Sequence, residues 1–210
     1  VKLLDLRVYV ITSDVPELGR SHEEVARAAI RGGATVIQFR DKEMGSVEFA
    51  ETAQRLAAVC RVSKVPLIIN DRVEIAIAIG AEGVHIGRND GDVSVVKSTL
   101  PPGMILGVSA IDYREALSLD ATEADYLGVG PIFPSNSKED ATPPIGLVEL
   151  ARICREVKKP VVAIGGINEH NAGSVVDAGA SGTAVISAVT YAADMLVAVG
   201  RLKSIWEQAG

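Results

Sequence analysis

The chain has 210 residues, 48% of them apolar and 23% charged, which excludes a disordered or fibrous protein and is long enough for one domain burying about 70% of its unfolded surface. Against 27 Asp and Glu stand 21 Lys and Arg, a net charge of −6 with no basic run, so nucleic acid and anionic membrane surfaces are not expected partners. Cys60 and Cys154 lie far apart, without Cys-x-x-Cys or His-rich spacing, which excludes a disulfide framework or zinc site and points to a reduced, cytoplasmic protein.

The apolar start, residues 1–12, is short and broken by Asp5 and Arg7, unlike a signal peptide, and the absent initiator Met suggests processing or a recombinant start. Residues 192–206 carry Asp194, Arg201 and Lys203 and do not read as a membrane span. In chain order, short β-branched runs alternate with longer periodic segments. Strands are expected at 8–12, 35–40, 66–70, 83–86, 105–109, 126–130, 161–165 and 183–187. Helices are expected at 21–31, 46–62, 73–79, 93–99, 113–121, 146–157, 169–178 and 191–207. Gly33-Ala34, Gly80-Ala81 and Gly179-Ala180 recur between a helix and the next strand, as glycine helix stops do. Repeated strand–helix units imply an α/β protein, a single (β/α)8 TIM barrel over 1–210, with an open doubly wound sheet as the alternative.

In such a barrel the C-terminal strand ends build the site, and there the polar residues gather. Gln38, Arg40 and Lys42 are spaced by two, so an extended backbone turns them to one side and Phe39 and Asp41 to the other, a face suited to phosphate or diphosphate oxygens. Asp71 follows the third strand and Asp90 the fourth, two carboxylates fitting Mg²⁺ beside phosphates. Their plainer alternatives are a helix cap and an Asx turn. Lys138, with Ser135 and Ser137, lies in a long loop after the sixth strand, where a cation is expected to close over an anion. Gly165-Gly166 after the seventh strand and Ile186-Ser187 after the eighth occupy the barrel's usual phosphate position. With only three His, a Ser-His-Asp triad or His-based metal site is not expected, and His85 reads as a hydrogen-bonded interior residue.

The motifs Gln38-Phe39-Arg40-Asp41-Lys42, Ile69-Asn70-Asp71-Arg72, the run 83–90 from Gly83 through His85 to Asp90, Gly107-Val108-Ser109, 125–134, 135–140, 162–167 and Ala184-Val185-Ile186-Ser187 together resemble the thiamine phosphate synthase family over nearly the whole chain. The resemblance implies a transferase that couples hydroxymethylpyrimidine diphosphate to hydroxyethylthiazole phosphate by a Mg²⁺-assisted dissociative substitution. Gln38, Arg40, Lys42 and Asn70 would hold the pyrimidine diphosphate, Ser109 and Lys138 would contact its diphosphate, and Asp71 and Asp90 would hold Mg²⁺. Ser135, Ser137, Gly166, Ile186 and Ser187 would hold the thiazole phosphate. Arg40, Lys42, Ser109 and Lys138 are then the expected catalytic set, acting on leaving-group charge with no general base.

The sequence departs from that pattern where Ser135 and Ser137 replace Thr, Arg88 replaces Gln and Ile111 replaces His. Arg88 stands near enough in sequence to Asp90 to compete with a metal as its ion-pair partner. The rival readings are an aminothiazole tautomerase-like enzyme of the same superfamily and a non-catalytic thiamine-precursor-binding protein. The retained Asp71, Asp90 and Lys138, with Ile111 in place of His, disfavour the first, and the retained Asp71–Asp90 pair disfavours the second. Self-association into a homo-oligomer is compatible with the sequence.

Overall fold

The computed structural model describes residues 4–88, 90–134 and 143–209. Eight parallel strands, β1 (Val8–Thr12), β2 (Val36–Phe39), β3 (Leu67–Asn70), β4 (Gly83–Ile86), β5 (Ile105–Ala110), β6 (Tyr126–Val129), β7 (Val161–Ile164) and β8 (Gly182–Val185), close in sequence order, with Val10 of β1 opposite Val185 of β8. The expected (β/α)8 barrel is therefore observed and the open sheet excluded. Outside it run α1 (His22–Gly32), α2 (Ser46–Ser63), α3 (Val73–Ile79), α4 (Val93–Thr99), α5 (Tyr113–Asp120), α6 (Gly146–Glu156), α7 (Ala172–Asp177), α8 (Ser187–Thr190) and α9 (Met195–Gln208).

Local chemistry sets the helix ends. Ser21 and Glu24 form a reciprocal capping box at the start of α1, and Asp92, Asp112 and Asp194 cap α4, α5 and α9. Gly33 and Gly80 end α1 and α3 in the left-handed conformation that L side chains disfavour, and the Ala34 and Ala81 that follow are buried on the return to the sheet. The repeat seen in the sequence is thus a repeated helix stop.

Three boundaries differ from expectation by more than one residue. The last strand ends at Val185, not 187, and Ser187 opens the short helix α8. The seventh helix starts at Ala172 instead of 169, because asparagine side chains hold the preceding turn: Asn171 Oδ1 accepts from Asn168 N, Asn168 Oδ1 from His170 N, and Asn171 Nδ2 donates to Gly166 O. The final helix starts at Met195 instead of 191, where Asp194 accepts from Val197 N.

Two apolar layers result. Phe39, Phe49, Leu56, Leu106, Leu150 and Ile153 fill the space between sheet and helices, while Tyr9, Ile11, Val36, Ile68, Tyr126 and Val162 pack inside the barrel. Strand alternation separates them, so each strand feeds both. The Trp206 indole donates to Thr183 Oγ1 at 3.1 Å, binding the end of α9 to β8. Among the described residues no helix is long and apolar enough to cross a membrane.

Candidate active site

Registration places Asn70 opposite His85, His85 opposite Gly107, Gly107 opposite Tyr126 and Ser109 opposite Gly128. Of these inward positions, Asn70, His85, Ser109, Tyr126 and Gly128 line a small cavity at the C-terminal strand ends, together with Tyr9, Ile11, Gln38 and Arg40. Four of the sequence-expected contacts, Gln38, Arg40, Asn70 and Ser109, are brought together there, beside His85, which was expected as an interior residue. A larger groove of about 390 Å³ lies outside the barrel beside α8 and α9. Its Arg201 is already bound to Glu169 through two hydrogen bonds, so the convergent polar groups of the strand ends make the smaller cavity the candidate site.

β2 ends at Phe39, yet the alternation persists beyond it. Asp41 turns away, accepting from Glu43 N and Met44 N and lying 3.2 Å from His22 Nε2. Arg40 lines the cavity, and both Arg40 and Lys42 act electrostatically on Asp71. Among the described residues neither Arg40 nor Lys42 forms an ion pair with the neighbouring Glu43.

Asp71 adopts φ 61°, a left-handed conformation that Asp tolerates better than most side chains. Its N–H donates to His85 O at 2.9 Å, fixing the exit of β3 against β4. The turn brings its carboxyl into a hydrogen bond with Asp90, whose Oδ2 also accepts from Gly87 N at 2.7 Å. Burial, then the Asp90 hydrogen bond and charge, push the Asp71 carboxyl up to about 6, while Lys42 and Arg40 pull in the opposite direction. Carboxylates held this close form a donor set that a divalent cation relieves. As a donor set the pair suits Mg²⁺, which takes one or two carboxylates and completes its shell with water and phosphate oxygens. The anticipated Arg88–Asp90 ion pair does not form: Arg88 Nε lies 2.8 Å from Glu115 Oε1. Glu115 Oε2 in turn accepts from Ile111 N, which ties Arg88 to the β5 exit.

At the opposite rim Gly165 and Gly166 have φ 98° and 65°. A Cβ on Gly166 would lie 2.5 Å from Pro134 O and 2.8 Å from Phe133 Cβ, so glycine there permits the β6 and β7 exits to touch. Ile186 precedes α8 and Ser187 is its first residue. The expected Ser135, Ser137 and Lys138 contacts, with Glu139 and Asp140, lie outside the described residues.

Tyr9 and Tyr126 are site components that the sequence reading missed. Gln38 Nε2 donates to Tyr9 Oη at 2.8 Å, Tyr9 Oη lies 2.8 Å from Tyr126 Oη, Tyr126 Oη 3.0 Å from His85 Nδ1, and His85 Nε2 2.9 Å from Ser109 Oγ. The available signal was strand parity: Tyr9 shares a face with Ile11, and Tyr126 with Gly128, and an inward phenol needs a polar partner.

A family model described as thiamine monophosphate synthase matches residues 8–189. A thiamine-phosphate synthase of Chloroflexus aurantiacus is 46% identical over 203 residues, covering 97% of this chain and 94% of the relative. One from Moorella thermoacetica is 45% identical over 202 residues, covering 96% of each. Among solved structures, a thiamine phosphate pyrophosphorylase from Pyrococcus furiosus superposes with a TM-score of 0.90 at 40% identity, covering 98% of both chains. The fold, the cation–carboxylate rim and these likenesses agree: the chain belongs to the thiamine phosphate synthase family.

Proposed function

We propose that this chain joins hydroxymethylpyrimidine diphosphate to hydroxyethylthiazole phosphate, giving thiamine phosphate and diphosphate, at the C-terminal rim of the barrel. The observation that carries the reading is the interleaving of Arg40 and Lys42 with the Asp71–Asp90 pair, an arrangement of cations and metal-ligand carboxylates matched to a diphosphate.

Asp71 and Asp90 hold Mg²⁺ in this reading, and a bound Mg²⁺ would supply charge neutralisation to the leaving diphosphate. Arg40, Lys42, Ser109 and Lys138 bind the diphosphate oxygens, with Gln38 and Asn70 on the pyrimidine side. Gly166, Ile186 and Ser187, with Ser135 and Ser137, bind the thiazole phosphate, in the barrel position that commonly takes phosphate. The methylene–oxygen bond breaks with its electron pair leaving on diphosphate, and the thiazole nitrogen supplies the pair for the new carbon–nitrogen bond. No proton moves in either event, so the coupling itself calls for no general base. The protein's work is to align two substrates and stabilise departing charge. Incubating the chain with both substrates and Mg²⁺ should yield thiamine phosphate and equimolar diphosphate, and dependence on all three tests the reading. Product formation unaffected by chelating the metal would remove Mg²⁺ from it.

A further inference from the structure

The chain of contacts from Gln38 to Ser109 crosses the cavity floor through three groups: the Tyr9 phenol, the Tyr126 phenol and the His85 imidazole. Burial holds both phenols protonated, Tyr126 well above the ordinary tyrosine range, so each contributes one proton, and an imidazole that carries a proton on one nitrogen contributes one more. Within these four contacts, two arrangements place all three of these protons in the chain. In the first, Gln38 Nε2–H donates to Tyr9, Tyr9 to Tyr126, Tyr126 to His85 Nδ1, and His85 Nε2–H to Ser109 Oγ. The Ser109 hydroxyl proton then points elsewhere, and the Gln38 carbonyl oxygen is released from the chain. In the second, every donor reverses: Ser109 donates inward, His85 carries its proton on Nδ1, and Gln38 offers its carbonyl to Tyr9 and its NH₂ to the site. Mixed arrangements make one phenol accept twice and leave its own buried proton without an acceptor in the chain, which is costly.

We propose that Tyr9, Tyr126 and His85 are positioning residues that make the two ends of this chain reverse together, so that an anion taking a hydrogen bond from the Ser109 hydroxyl turns the carbonyl oxygen of Gln38, and not its amide nitrogen, toward the reacting ring. The inference rests on the synthase reading, in which Ser109 meets diphosphate. Its consequence is selectivity: the ring accepted is one that presents a donor, such as an exocyclic amino group, to Gln38. The same carbonyl dipole faces the positive charge that develops on that ring as diphosphate departs. Gly107 and Gly128 fit this role, since a Cβ on either would collide with Tyr126 or His85.

The test uses full-length protein labelled with ¹⁵N-histidine, with His85 assigned through a His85→Asn variant. With Mg²⁺ and inorganic diphosphate bound, His85 should carry its proton on Nε2 and show an unprotonated Nδ1. A proton on Nδ1, alone or with Nε2, overturns the proposal. A kinetic arm measures kcat for Gln38→Ala, Ser109→Ala and the double variant, each with Tyr126 present and with Tyr126→Phe, which keeps the ring in place. With Tyr126 the double variant should be at least ~5-fold faster than the product of the single effects predicts, and with Phe the effects should multiply. Multiplicative effects in both backgrounds overturn it. Failure of the starting enzyme to make thiamine phosphate from both substrates is the separate result that sinks the synthase reading.

Discussion

The Asp71 carboxyl, carried on a left-handed residue at the end of β3, shares a hydrogen bond with the Asp90 carboxyl beyond the end of β4. The pair ties metal binding to pH. Asp71 ionises near 3.8 when unfolded and near 6 when folded, so the folded chain holds the extra proton between these values. The metal-free protein is therefore stabilised below pH ~4 and loses that increment as pH rises through ~6. Mg²⁺ must displace this proton, so its affinity should rise about tenfold per pH unit below pH ~6 and level off above it. Calorimetric Mg²⁺ titrations from pH 5 to 8, roughly spanning that window, check the slope. A flat profile would detach Asp71 from the metal.

Substitution of either carboxylate should cost at least ~10²-fold in turnover, several kcal/mol of barrier. Asp90 also accepts from Gly87 N, so Asp90→Ala disturbs the turn as well as the charge. Asp90→Asn keeps an acceptor for Gly87 and isolates the charge. If Asp71→Asn and Asp90→Asn both turn over at the native rate with native Mg²⁺ dependence, the metal assignment is wrong.

Arg88 is engaged by Glu115, which also receives the Ile111 N–H. Arg88→Gln should therefore change Mg²⁺ affinity less than threefold, roughly the scale of an exposed ion pair. Glu115→Gln frees the Arg88 guanidinium and is the variant expected to weaken Mg²⁺ binding, through attraction of Arg88 to Asp90. Metal titrations of both variants separate the two cases. A large gain in affinity for Arg88→Gln would show that Arg88 competes with the metal after all.

The barrel and most of its rim were legible because period-2 strands, glycine helix stops and polar exits are local signals. Gln38, Arg40, Asn70 and Ser109 converge as strand parity implies. What sequence could not supply was competition among partners at a distance. Arg88 lies two residues from Asp90 but pairs across to α5, and the asparagines after Gly166 hold a turn where apolar periodicity suggested helix. Tyr9 and Tyr126 are 117 residues apart in the chain and meet through their hydroxyls, a relation that appears only when barrel closure fixes β1 opposite β6.

At the thiazole rim, Gly166→Ala places a Cβ against Phe133 and Pro134 on a residue with φ 65°. The backbone strain costs on the order of 1–3 kcal/mol, and the β6 exit must move aside. KM for the thiazole phosphate should rise at least ~10-fold, with KM for the pyrimidine diphosphate changed less than threefold, in line with the phosphate cradle lying after β7 and β8. Steady-state kinetics with each substrate varied in turn decides the matter. Equal loss for both substrates in a folded variant would argue against separate subsites.

Gly107 allows a sharper separation of packing from chemistry. It lies on β5 opposite His85 and Tyr126, and a Cβ there would overlap the Tyr126 phenol and lie 2.5 Å from His85 Nδ1. Both rings are buried, so Gly107→Ala must displace the Tyr126 hydroxyl from its place between Tyr9 and His85. Overpacking of this kind costs about 1–3 kcal/mol, a fall in Tm of about 2–12 °C for a chain of this size. Truncating the phenol relieves the overlap, so Gly107→Ala combined with Tyr126→Ala should be more stable than the sum of its separate losses. Activity should not return with that stability, because the link from Gln38 to Ser109 is still missing. Thermal melts and kcat for the two single variants and the pair provide the check. Recovery of kcat along with Tm would mean that Tyr126 serves the site only by filling space.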